Sequence, residues 1–167
     1  MNFKNIFNMI VLLSLVSCAE LPPLQPKEPK KSSVNLTLEL IEPTPSYDNF
    51  ILSNNQLAIR TIIRKGLIEY NLFKNIVNFN GDLQLRVLNN EKDEKQEGSF
   101  IDVRHKIKLT FILLKENKEI YKKDFEADEI ATGSEKFIHA ERVRYASEKA
   151  VYRCLDQFLE DISKQKL

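Results

Sequence analysis

From Ile101 to Leu113, Ile101, Val103, His105, Ile107, Leu109, Phe111 and Leu113 alternate with Asp102, Arg104, Lys106, Lys108 and Thr110. A strand turns successive side chains to opposite faces, so this run demands a sheet with one buried face and one wet face. A short turn at Lys115 to Lys118 leads into Tyr121, Lys123, Phe125 and Ala127, the second arm of an antiparallel hairpin. The same period of two appears in Val34, Leu36, Leu38 and Leu40, separated by Asn35, Thr37 and Glu39. Leu83, Leu85 and Val87 repeat it after a turn at Asn80-Gly81.

Two segments switch to helical spacing. Ser53, Asn54 and Asn55 offer N-caps ahead of Ile59, Ile62, Ile63, Gly66, Leu67 and Tyr70, which lie three and four apart on one face. Gly66 costs a helix about 1 kcal/mol against alanine, and a close helix–sheet approach is the expected reason to keep it. The chain closes with a helix over residues 135–163. Ala140, Val143, Ala150, Val151, Cys154, Leu155, Phe158, Leu159 and Ile162 form its apolar stripe. Glu141, Arg142, Arg144, Glu148, Lys149, Arg153, Asp156 and Glu160 form its polar side.

The order β-α-β-β-β-α predicts an α+β two-layer sandwich: a four-stranded mixed sheet with two helices on one face. The first two strands, joined through a helix, should be parallel in a right-handed crossover. Residues 34–167 form a single domain of a size that buries a core without staples. Tyr47, Phe50, Phe73 and Phe79 fall in connections, where they would close the sandwich as apolar plugs or, as the alternative, form a binding patch.

The N-terminus carries an address. Lys4 precedes an apolar run from Ile6 to Val16, about a dozen residues, which is too short to span a bilayer and suits a secretory signal over residues 1–17. The stretch Leu15-Val16-Ser17-Cys18 resembles the lipobox of bacterial lipoproteins. That resemblance implies that Cys18 is diacylated on sulfur, becomes the first residue after cleavage and is then acylated on nitrogen. Residues 18–33 follow as a tether, holding four of the chain's six prolines. In extended form, at about 3.1 Å per residue, it would hold the domain about 40 Å from the bilayer. Ala19 stands where the inner-membrane retention signal of enteric lipoproteins would place aspartate, which implies the outer membrane, facing the periplasm.

Charge points away from nucleic acid: 25 basic and 24 acidic residues nearly cancel. Of two cysteines, a lipidated Cys18 leaves Cys154 without a disulfide partner, and its apolar helix position makes it a small buried hydrophobe. Gly66, Gly81, Gly98 and Gly133 are isolated, so no phosphate-cradling loop is present, and no G-x-S-x-G elbow occurs. His105 and His139 are the only histidines; His105 occupies an inward strand position, and neither belongs to a zinc-ligand spacing. Glu126, Asp128 and Glu129 make a solvated strand end rather than an acid–base pair. No enzyme activity, cofactor or metal is expected.

The segment Ala140-Glu141-Arg142-Val143-Arg144-Tyr145-Ala146-Ser147-Glu148-Lys149-Ala150-Val151, continuing to Gln157-Phe158-Leu159, resembles the C-terminal helix of a family of small proteobacterial outer-membrane lipoproteins of unknown function. Some members carry an acyltransferase label, but the left-handed β-helix acyltransferases need hexapeptide repeats, and this chain has none. The layout is more distantly similar to the LPS-assembly lipoprotein and the auxiliary lipoproteins of ABC-type transporters. The tether, the amphipathic two-layer domain and the absence of active-site motifs lead to the expectation of a non-catalytic adaptor or accessory subunit of an envelope assembly or transport complex, held to the membrane by its lipid and docking an envelope protein. Arg142, Arg144, Glu148 and Arg153 are the candidate docking residues. Glu141, Arg144 and Glu148 are also spaced for ordinary helix ion pairs. The alternative is a carrier holding a lipid or small ligand between sheet and helices, in an apolar cavity lined by Ile63, Leu67, Phe111 and Phe125.

Overall fold

The computed structural model describes residues 34–41, 53–89, 95–98 and 102–165. The leader, Cys18, the tether, Tyr47, Phe50 and residues 90–94 and 99–101 lie outside the described residues. The chain runs β1 (Val34–Leu40), α1 (Ser53–Tyr70), β2 (Phe73–Val77), β3 (Leu83–Asn89), β4 (Lys95–Gly98), β5 (Val103–Lys115), β6 (Lys118–Ala131) and α2 (His139–Ile162).

The architecture is α+β, with two helices on one face of a mixed sheet, as the periodicities demand. The sheet is wider than the four strands expected. Its order is β2-β1-β3-β5-β6, and β4 continues the line of β3 along the same edge of β5. β1 is parallel to both β2 and β3, and the β5–β6 hairpin is antiparallel. Glu116 and Asn117 turn the hairpin with φ of 52° and 62°, the two positive values of a turn whose twist matches its strands.

β2 escapes the sequence pattern because it is a short edge strand with a single fully buried side chain, Phe73. It sits on one side of β1 while β3 sits on the other, so residues 78–82 must cross β1 within five residues. Parallel strands ordinarily need a connection of a dozen residues or more. The crossing is stapled to the wet face of β1: Asp82 accepts hydrogen bonds from the Thr37 backbone N–H and hydroxyl, each at 2.8 Å, and the Thr37 hydroxyl accepts from the Asp82 N–H at 2.9 Å. Gly81 belongs here because a Cβ would meet the Glu39 backbone nitrogen at 2.6 Å. Phe79, on the same crossing, is 79% exposed and plugs nothing, contrary to the expectation for it; Phe73 does join the core.

Leu38, Leu83, Leu85, Ile107, Leu109, Phe111 and Leu113 of the sheet meet Ile59, Ile63 and Leu67 of α1 and Val151, Leu155 and Phe158 of α2 in one core. Phe158 stacks on Phe111 at 4.6 Å between ring centroids. Gly66 serves a close approach between the two helices rather than between helix and sheet: a Cβ there would lie 2.4 Å from Leu155 Cδ2 and 3.2 Å from Tyr152 Cε1. Asn71, at φ 49°, ends α1 with a left-handed residue. On the wet face, Arg104, Lys106 and Lys108 of β5 oppose Asp128, Glu126 and Asp124 of β6 as a ladder of ion pairs.

Candidate functional site

α2 starts at His139, four residues later than its pattern suggests. Thr132 and Glu135 form a local turn instead: the Thr132 N–H donates to Glu135 Oε2 at 2.8 Å, and the Glu135 N–H donates to the Thr132 carbonyl at 3.1 Å. Lys149 then ties this turn to the sheet, donating to Glu135 Oε1 at 3.0 Å and to the Ile130 carbonyl at 2.8 Å.

Of the four candidate docking residues, Arg142 differs most from its expected place on the polar side of the helix. It is only 4% exposed, and Nη1 donates to the carbonyls of Lys136 and Phe137 at 2.7 and 2.5 Å. The guanidinium clamps the loop ahead of α2 onto the helix. Arg144 pairs with Glu148 at 2.8 Å, one turn along the exposed side, and that carboxylate holds the guanidinium more firmly protonated than usual. Arg153 lies in a solvent-facing groove of about 300 Å³ with Tyr70, Leu72, Asp156, Gln157, Leu159 and Glu160, where the Tyr70 hydroxyl donates to Asp156. The four residues therefore occupy three settings: a loop clamp, a surface ion pair and a groove between the helices.

What the clamped loop presents was not legible as a site. Phe137 is 92% exposed and Ile138 57%, with Ile130 46% exposed at the same end of the sheet. Two consecutive apolar residues ahead of a helix in a polar context are the signal that could have marked them.

Several titratable groups among the described residues hold structure together. Arg104 binds Asp128 through two hydrogen bonds of 2.7 and 2.6 Å and holds that carboxyl below its ordinary range. Hydrogen bonds from Lys123 and the Tyr121 hydroxyl do the same for Asp161. Burial pushes the Cys154 thiol up to about 12, so thiolate is suppressed, and Sγ lies 3.5 Å from the Phe125 carbonyl as a weak donor. His105 is buried in β5 opposite Glu129. Among the described residues, no group of three or more His, Cys, Asp or Glu could hold a metal ion, and no helix is long and apolar enough to cross a membrane.

No family model matches the sequence, and no curated protein does. Solved structures do match the fold. A protein from Xanthomonas campestris of the DUF330 family aligns with a TM-score of 0.57 at 12% identity, over 87% of this chain and 97% of that one. A protein from Caulobacter crescentus described as a lipoprotein aligns at 0.55 and 10% identity, over 75% and 87%. A hypothetical protein from Chlamydia trachomatis aligns at 0.51 and 7%, over 77% and 96%. At such identities the likeness establishes a shared fold.

Proposed function

We propose that the protein is a lipid-anchored envelope lipoprotein, held through Cys18 to the outer membrane on its periplasmic side, and that it acts as a non-catalytic adaptor or accessory subunit of an envelope assembly or transport complex. The observation that carries this is Leu15-Val16-Ser17-Cys18, set ahead of a proline-rich spacer and a domain whose fold also occurs in the Caulobacter crescentus lipoprotein. Acyl chains contribute about 0.8 kcal/mol per buried methylene, so several together hold a near-neutral domain without help from basic residues. The adaptor role is supported by how the domain spends its charged groups, in ion pairs and loop clamps.

A carrier of lipid between sheet and helices finds less support. Ile63, Leu67, Phe111 and Phe125 are buried, and the ring of Phe158 fills the space against Phe111 and Phe125, at 4.6 and 6.5 Å between centroids. The small opening beside Ile63, between β1, α1 and β3, measures about 20 Å³, far below the several hundred of a ligand pocket.

Metabolic labelling with a palmitate analogue tests the anchor. The full chain should label and sediment with membranes, and Cys18→Ser should do neither. A wild-type chain that is unlabelled and released from membranes would sink the proposal.

A further inference from the structure

We infer that Phe137 and Ile138 form an apolar hook by which the domain docks a protein partner offering an uncharged pocket for an aromatic side chain; this rests on the adaptor role proposed above.

Phe137 is 92% exposed, and a ring left in water at that level carries no share of the core. It is nevertheless held in place. Arg142, 96% buried, donates to the carbonyls of Lys136 and Phe137. The Thr132–Glu135 turn, tied down by Lys149, fixes the approach to it. A buried cation that immobilises a loop and thereby presents an exposed aromatic lowers the ordering cost of binding.

The place of the hook in the fold selects the occupant. β1 is parallel to β3 and β3 antiparallel to β5, so Val34 enters at the end of the sheet where β5 finishes. Phe137 follows Ala131, which pairs with Val103 at the opposite end. β5 has 13 residues, and at about 3.3 Å each the two ends lie roughly 40 Å apart. The 33 residues that precede β1 join the far end, so an anchor at Cys18 leaves the hook pointing away from its own bilayer. Lipids of that bilayer could meet it only if the domain turned over on its tether, whereas a protein in the space beyond meets it directly.

The surrounding charges favour an apolar pocket over a charged one. Lys149 pairs with Glu135 at 3.0 Å, Arg144 with Glu148 at 2.8 Å and Arg104 with Asp128 at 2.6 Å, while Lys136 lies over the Tyr145 ring at 5.7 Å. Charges already satisfied within the domain add little to recognition, and the aromatic ring becomes the anchor.

The test places a photo-crosslinking amino acid at 137, and in separate chains at 68 and 79, in the full lipidated protein within the producing cells. Ile68 and Phe79 are also exposed apolar residues, on other surfaces. Position 137 should give one protein adduct of defined mass. Once identified and purified, that protein should bind the Phe137→Ala domain at least about tenfold more weakly than the wild type, with the thermal midpoint unchanged. An adduct to lipid or to a second copy of this chain, no adduct at 137, or a purified partner indifferent to Phe137→Ala overturns the hook. A protein adduct at 68 or 79 with none at 137 overturns the hook but leaves the adaptor role standing; no protein adduct at any of the three overturns both.

Discussion

Phe158 is the residue whose loss the domain should feel most. Its ring is fully buried on α2, stacked on Phe111 at 4.6 Å and 14°, with Tyr121 and Phe125 set edge-on at 5.8 and 6.5 Å. A buried phenylalanine removes roughly 150–250 Å² from water, and at about 25 cal/mol per Å² that bounds its burial at roughly 4–6 kcal/mol. Alanine keeps part of this, while the stack and the cavity left behind add to the loss, so Phe158→Ala should cost about 4 kcal/mol. Phe158→Leu, which restores most of the volume, should cost about 1.5 kcal/mol or less. Urea denaturation at 25 °C, followed by circular dichroism, measures both, and an unchanged slope shows that the folded and unfolded states are otherwise the same. In thermal melts of a domain this size, the alanine variant should melt roughly 15 °C lower. If Phe158→Ala costs less than about 1.5 kcal/mol, the space between helices and sheet is loosely filled, and a carrier of apolar ligands becomes the better account.

Two further outcomes follow from the packing. Gly81→Ala should destabilise by about 1–3 kcal/mol, because the new Cβ meets the backbone of β1 and Leu83 rather than a side chain that can swing aside; a gain of about 0.5 kcal/mol, the ordinary result of stiffening a glycine, would show that the crossing relaxes freely. On the alkaline side, burial raises the Cys154 thiol from 9.0 to about 12, so below pH 9 the thiol is neutral in both states and costs nothing. As pH rises from 9 towards 12 the unfolded chain ionises first, and stability should fall by about 1.4 kcal/mol per pH unit from this group. Chemical denaturation of wild type and Cys154→Ala at pH 7 and pH 10.5 separates this share from that of the tyrosines, and parallel losses in the two proteins would rule it out.

Long amphipathic elements announce themselves, and short or backbone-held features do not. β5 and the stripe of α2 were legible because each repeats its period many times over, so chance matches average away. β2 has one buried residue in five, which no period can reveal. The crossing of β1 was hidden for a related reason: Asn80-Gly81 has turn chemistry, but the sequence does not say that Gly81 is needed by a neighbouring backbone. Arg142 is the sharpest case. Its charge groups it with the polar residues Arg144 and Glu148, yet its spacing sets it one turn before Ala146, Ala150 and Cys154 on the buried row, where a loop lays two carbonyls over it. Backbone oxygens are the same in every residue, so a cation that they satisfy looks from sequence like any exposed arginine. The consequence reaches the site. The loop held by Arg142 carries Phe137, and an exposed aromatic there follows from a buried charge at the end of the sheet opposite Val34. The likeness of Leu15-Val16-Ser17-Cys18 to a lipobox, by contrast, rests on residue types alone and needs no fold at all. The proposed anchor and the proposed docking loop thus rest on different chemistry in different segments, and losing one should leave the other intact.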